Sequence, residues 1–100
     1  MEQVFSGAGE DLHEVQVTVV NRRGLHARAA AKFVKEATRF RAEIQVFKGA
    51  IDVSGRSIMG LMMLAAAPGA TLTIRAFGSD AAEALAALTD LVERRKFDED

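Results

Sequence analysis

The chain has 100 residues, 49% of them hydrophobic and 27% charged, with a formal net charge of −1 and no cysteine. That length and composition fit one soluble globular domain with a modest core. The balanced charge argues against a general nucleic-acid or membrane-surface binder, and the missing thiols exclude a disulfide framework, a thiolate nucleophile and a cysteine metal site.

Residues 1–13, "MEQVFSGAGEDLH", read as a flexible leader. The segment is acidic and lacks the apolar run of a signal peptide, and no stretch approaches the roughly 20 apolar residues that span a membrane. A cytoplasmic protein is expected. The domain proper is expected over 14–96. "EVQVTVV" alternates, with Val15, Val17 and Val19 on one face of a strand and Gln16 and Thr18 on the other. "NRRG" breaks it. From Ala27 to about Arg39 the spacing turns helical: Ala30, Phe33, Val34 and Ala37 repeat at three and four.

"AEIQVF" predicts a second strand with Ile44 and Val46 on its apolar face. After "KG", "AIDVSG" returns as its hairpin partner, with Ile51 and Val53 alternating with Asp52 and Ser54. "SIMGLMMLA" is a short apolar helix that stops at "APGA". "TLTIRAF" is the last strand, with Leu72, Ile74 and Ala76 inward. Ser79 or Asp80 then caps a final helix with a stripe of Ala81, Ala84, Leu85, Leu88, Leu91 and Val92. The ending, residues 97–100, is an acidic tail expected to fray. The order is βαββαβα. The predicted fold is α+β, an open-faced β-sandwich with a four-stranded, mostly antiparallel sheet and three helices on one face.

His26 stands where the first helix begins. The first N–H groups of a helix lack intrahelical partners and carry partial positive charge, which makes an anion site. Arg28, in the first turn, can add charge-assisted hydrogen bonds to a phosphate. Gly24 allows a sharp turn before it. A helix start disfavours imidazolium and leaves a neutral ring nitrogen as nucleophile; a phosphoryl group on that nitrogen would then be stabilised by the same N–H groups and by Arg28. On spacing alone, His26 reads equally as a plain cap or turn residue. His13 reads as solvated leader, and two histidines so placed make no metal site.

"GLHARAAAKFVKEA" followed by "GRSIMGLMML" resembles the histidine-containing phosphocarrier (HPr) family of the phosphoenolpyruvate-dependent phosphotransferase system, over roughly residues 14–95. The resemblance implies that His26 is phosphorylated through Nδ1 and that Arg28 neutralises the phosphoryl charge. It implies enzyme I as donor, an enzyme IIA protein as acceptor, and no bound cofactor or metal. Such a carrier is a covalent intermediate in a transferase chain rather than a stand-alone enzyme. The sequence departs from the family at Ala29, where many members carry a proline suited to the first helical turn. The "FDED" ending resembles the nitrogen-related branch, which favours a regulatory role over sugar uptake.

Ser57 opens the second helix, where an N-cap is worth about 1 kcal/mol. By resemblance it is also a regulatory site for HPr kinase/phosphorylase, with Ser54 a weaker rival. The second helix is apolar on too many sides for one core face. Leu61 and Leu64 point inward, and Met63 is expected to join them. Ile58, Met59 and Met62 are expected on the surface, and flexible methionine suits a face that meets several partners. By resemblance these three form the docking patch, with Lys35 and Arg28 as its basic rim. A monomer suits a protein that presents one face to partners in turn.

Three other functions fit the sequence less well. A binding-only regulator on the same fold would not need His26. A small-molecule hydrolase or transferase would need a nucleophile with a positioned base, and no such set or glycine-rich phosphate loop is present. An RNA-binding sheet would need more stacking residues than Phe47 and Phe77.

Overall fold

The computed structural model describes residues 11–99; residues 1–10 of the expected leader, and Asp100, lie outside the described residues. The elements follow the expected order: β1 (Leu12–Thr18), α1 (Ala27–Ala37), β2 (Glu43–Lys48), β3 (Ile51–Ser54), α2 (Ile58–Met63), β4 (Thr71–Phe77) and α3 (Ala81–Thr89). The sheet order is β1-β4-β2-β3, and every neighbouring pair is antiparallel. The fold is therefore the α+β open-faced sandwich that the sequence predicts.

Alternation builds it. Val17 of β1, Ile44 and Val46 of β2, and Leu72, Ile74 and Ala76 of β4 are buried. They meet Ala30, Phe33 and Ala37 of α1, Leu61 of α2, and Ala81, Ala84, Leu85 and Leu88 of α3 in one core. The opposite face of the sheet is largely polar, with Leu12 and Phe77 exposed at one end. There Glu14 and Arg75 are cross-strand partners, joined at 2.9 Å, and the Arg75 guanidinium lies 4.9 Å from the centre of the Phe47 ring.

Five details differ from the sequence reading. β1 begins at Leu12, so His13 belongs to the sheet, opposite Ala76, with its side chain exposed. Ile51 is exposed because β3 is a four-residue edge strand with little above it. Met63 is 74% exposed rather than in the core: it lies two residues, about 200° of helix, from buried Leu61. The last helix ends in one wide turn, Asp90–Arg94, closed by a bond from Arg95 N–H to the Asp90 carbonyl at 2.8 Å. That extra residue per turn lets the sequential Leu91 and Val92 both reach the core.

The ending is the largest difference. It does not fray. Lys96, Phe97 and Asp98 adopt φ of 53°, 56° and 55°, a left-handed turn built from residues that resist it by about 1–2 kcal/mol each. The turn buries Phe97 to 2% exposure. Asp98 pairs with Arg95 at 2.6 Å and with Lys32 of α1 at 3.5 Å. The chain end is thus strapped across the start of α1.

Candidate functional site

The segment between β1 and α1 is fixed at several points. Val19 exchanges backbone bonds with Ala70 and Gly69, and Leu25 N–H donates to the Ala66 carbonyl at 2.9 Å. Gly24 takes φ +69°, and a Cβ there would lie 2.5 Å from that same Ala66 oxygen. Asn21 is 1% exposed. Its amide donates to the Gly24 carbonyl at 2.8 Å, which closes the turn from inside.

These restraints deliver His26 to the N-cap of α1 with extended backbone, φ −82° and ψ −178°. Its carbonyl accepts from Ala30 N–H at 2.8 Å, the first bond of the helix. Its side chain makes no capping bond, and the first turn carries no acidic residue. The N–H groups of Ala27, Arg28 and Ala29 therefore precede the first intrahelical bond and remain donors. Ala29 is fully buried. In place of a proline it contributes one donor more than a proline would. Arg28 is exposed and makes no ion pair or hydrogen bond with another described residue.

His26 and Arg28 share a shallow pocket of about 130 Å³ with Arg23, Phe97 and Glu99. Glu99 arrives from the far end of the sequence. Its Oε1 accepts from Arg22 N–H at 2.6 Å, and its Oε2 from Asn21 Nδ2 at 3.0 Å and Arg23 N–H at 3.2 Å. Burial is the largest influence on this carboxyl and pushes it up. The bonds from Asn21, Arg22 and Arg23 outweigh burial and hold it below the usual carboxylate range. Oε2 also lies 3.5 Å from His26 Nε2, an ion-pair separation longer than a hydrogen bond. Nε2 is buried with no hydrogen-bond partner among the described residues.

The structure brings His26 and Arg28 together, as the sequence suggests. Lys35 lines a different groove, of about 240 Å³, with Lys32, Glu36, Arg39, Leu91, Arg95 and Asp98. Ser57 is the N-cap of α2, and its Oγ accepts from Gly60 N–H at 2.9 Å. Ser54 is exposed, and its hydroxyl accepts from Arg56 N–H at 3.1 Å. Ile58, Met59, Met62 and Met63 are all exposed, and Met63 widens the apolar face that the sequence drew from the first three. The Leu25–Ala66 bond ties the chain just beyond α2 to the His26 loop. Sequence reasoning missed Asn21 and Glu99. Asn21 is the only asparagine in the chain, beside a turn glycine, and that was the available signal.

Among the described residues no cluster of three or more His, Asp or Glu side chains could hold a metal ion. No described helix is long and apolar enough to cross a membrane.

Residues 13–94 match the family model described as "PTS HPr component phosphorylation site". The chain is 50% identical over 76 residues to the phosphocarrier protein HPr of Neisseria meningitidis serogroup A, covering 76% of this chain and 85% of that one. It is 46% identical over 86 residues to the phosphocarrier protein NPr of Shewanella violacea, covering 86% and 93%. The crystal structure of HPr-C-His from Thermoanaerobacter tengcongensis superposes with a TM-score of 0.82 at 42% identity, covering 88% of this chain and 98% of that one.

Proposed function

The chain belongs to the HPr family of phosphotransferase-system phosphocarriers, and from that premise we propose that it relays a phosphoryl group through His26. Phosphorylated enzyme I donates the group to Nδ1, and an enzyme IIA protein takes it on. The observation that carries this reading is the uncapped start of α1: a half-buried His26 beside N–H donors that precede the first helical bond, an Arg28 with no partner among the described residues, and no first-turn acid. That arrangement stabilises three new phosphoryl oxygens without any metal. Nε2 faces inward to Glu99, which leaves Nδ1 as the nitrogen for transfer.

The exposed Ile58, Met59 and Met62 form the docking patch for each partner in turn, and Lys35 adds positive charge on α1. Ser57 is the regulatory site for a kinase of the HPr kinase/phosphorylase type. A phosphate on its Oγ would sit at the start of α2 and load charge onto the docking face. The protein acts in the cytoplasm as a monomer. Its acidic "FDED" ending supports the nitrogen-related branch, and relatives named HPr and NPr match at similar identity. Transfer assays against IIA proteins of each branch separate the two.

The test is intact mass after incubation with enzyme I and phosphoenolpyruvate, beside His26→Ala. The expected result is one phosphoryl adduct that is lost in acid, survives base and is absent from the variant. No adduct, with enzyme I active on another carrier, overturns the relay and leaves a binding-only regulator on the same fold.

A further inference from the structure

We propose that Glu99 is a positioning residue for phosphoryl transfer: its carboxylate faces His26 Nε2, keeps the ring proton on that nitrogen, and so presents the Nδ1 lone pair to the phosphorus. This rests on the relay reading above. The carboxylate is fixed rather than wandering. Three donors hold it, from the Asn21 side chain and the Arg22 and Arg23 backbone, and the left-handed turn at 96–98 anchors it through buried Phe97. The ring nitrogen it faces is itself buried and has no other partner among the described residues. A buried N–H beside an ionised carboxylate is stabilised, and a buried bare lone pair there is repelled. The neutral ring is thereby held as the Nε2–H tautomer.

The transfer step then balances simply. The Nδ1 lone pair attacks phosphorus, the bond from phosphorus to the donor's histidine nitrogen breaks, and its electron pair returns to the donor. Nε2 keeps its proton throughout. The His26 ring takes up positive charge as the new bond forms, and that charge develops 3.5 Å from the Glu99 oxygen. Arg23 and Arg28 line the same pocket on behalf of the incoming phosphoryl oxygens, so one carboxylate does not turn the lining negative.

The test reads the ring itself. ¹⁵N shifts of the His26 imidazole at about pH 9, above the ordinary imidazole range, report which nitrogen carries the proton. The expected result is a single Nε2–H form in the native protein. In Glu99→Ala the Nδ1–H share rises by roughly threefold or more, the scale of one partly exposed charged contact. Glu99→Gln keeps the volume of the turn, removes the charge and gives an intermediate shift. Phosphorylation by enzyme I and phosphoenolpyruvate slows about threefold in both variants, because the positive charge that develops on the ring loses its facing carboxylate. An Nδ1–H ring in the native protein, or tautomer ratios unchanged in both variants, overturns the proposal. The ring measurement needs no donor, so failure of the relay and failure of this placement are read separately.

Discussion

Gly24 and Ala66 meet backbone to backbone: the space for a Gly24 Cβ is taken by the Ala66 carbonyl, 2.5 Å away, and the next residue, Leu25, donates its N–H to that same oxygen. One carbonyl therefore sets both the turn before His26 and its distance from the chain beyond α2. The obstructing atom is backbone and cannot rotate aside. Gly24→Ala adds this overlap to the strain of φ +69°, and the expected loss is about 2–5 kcal/mol. Urea unfolding measures it. Enzyme I-dependent phosphorylation should fall further than the loss of folded protein explains, because the loop must move to relieve the clash.

The two sides of α2 predict opposite phenotypes. Leu61 is fully buried, and Leu61→Ala should cost about 2–5 kcal/mol with little effect on docking once the protein is folded. Met59 is 73% exposed, and Met59→Glu should leave stability within about 0.5 kcal/mol. It should weaken productive encounter with enzyme I about tenfold, read as a raised KM for the carrier. Equal KM values for Met59→Glu and the native protein would remove Met59 from the docking face.

Ala65 follows the last turn of α2 with φ +50°, a position where glycine is the usual residue. Its side chain is exposed and holds nothing in place. Ala65→Gly relieves left-handed strain and gives back part of the gain as greater freedom in the unfolded chain. The expected net gain is about 0.5–1 kcal/mol, measured as a higher denaturation midpoint.

Acid should weaken the fold from a defined place. The Asp80 carboxylate accepts from Arg41 N–H and Ala42 N–H, both at 2.9 Å, and so ties the start of α3 to the start of β2. The Arg41 backbone bond is the largest influence and, with Ala42, lowers the carboxyl against the opposing effect of burial. A lowered carboxylate adds stability above its ordinary value of 3.8 and loses it as pH falls through the folded value. Unfolding followed between about pH 5 and about pH 2 should show a shallower acid decline in Asp80→Asn than in the native protein. Parallel curves would show that Asp80 carries no linkage.

Much of the fold is legible in the sequence because it is written in local periodicity. The alternation around Val17, Val46 and Ile74 and the stripe through Ala30 and Phe33 each point to a core face. His26 is legible as a helix-start residue, but its spacing fits a plain cap equally well, and only the resemblance carried by "GLHARAAAKFVKEA" singles it out; Ser57 is legible as a cap. Glu99 is not. Its partners stand up to 78 residues away, and a left-handed turn of lysine, phenylalanine and aspartate has no pattern that announces it. Met63 misleads for a related reason. Methionine is apolar enough for a core, and only the six-residue length of α2, with Leu61 and Leu64 already inside, turns it outward. Asp80 is legible as a polar residue at a helix start, but it makes no side-chain cap bond there and instead reaches across to β2.

The central place of β4 has a consequence for how the molecule is born. β4 lies between β1 and β2, so the two early strands are joined into one sheet only once Thr71–Phe77 has been made. The His26 loop waits longer still, because Glu99 and Phe97 close it from the last few residues. A chain emerging from the ribosome can form its α1 turn and its β2–β3 hairpin early, but it cannot assemble the histidine pocket piecemeal. Each copy acquires a finished pocket only after nearly the whole chain is free, and a truncated or stalled copy exposes the methionines of α2 without a completed histidine pocket.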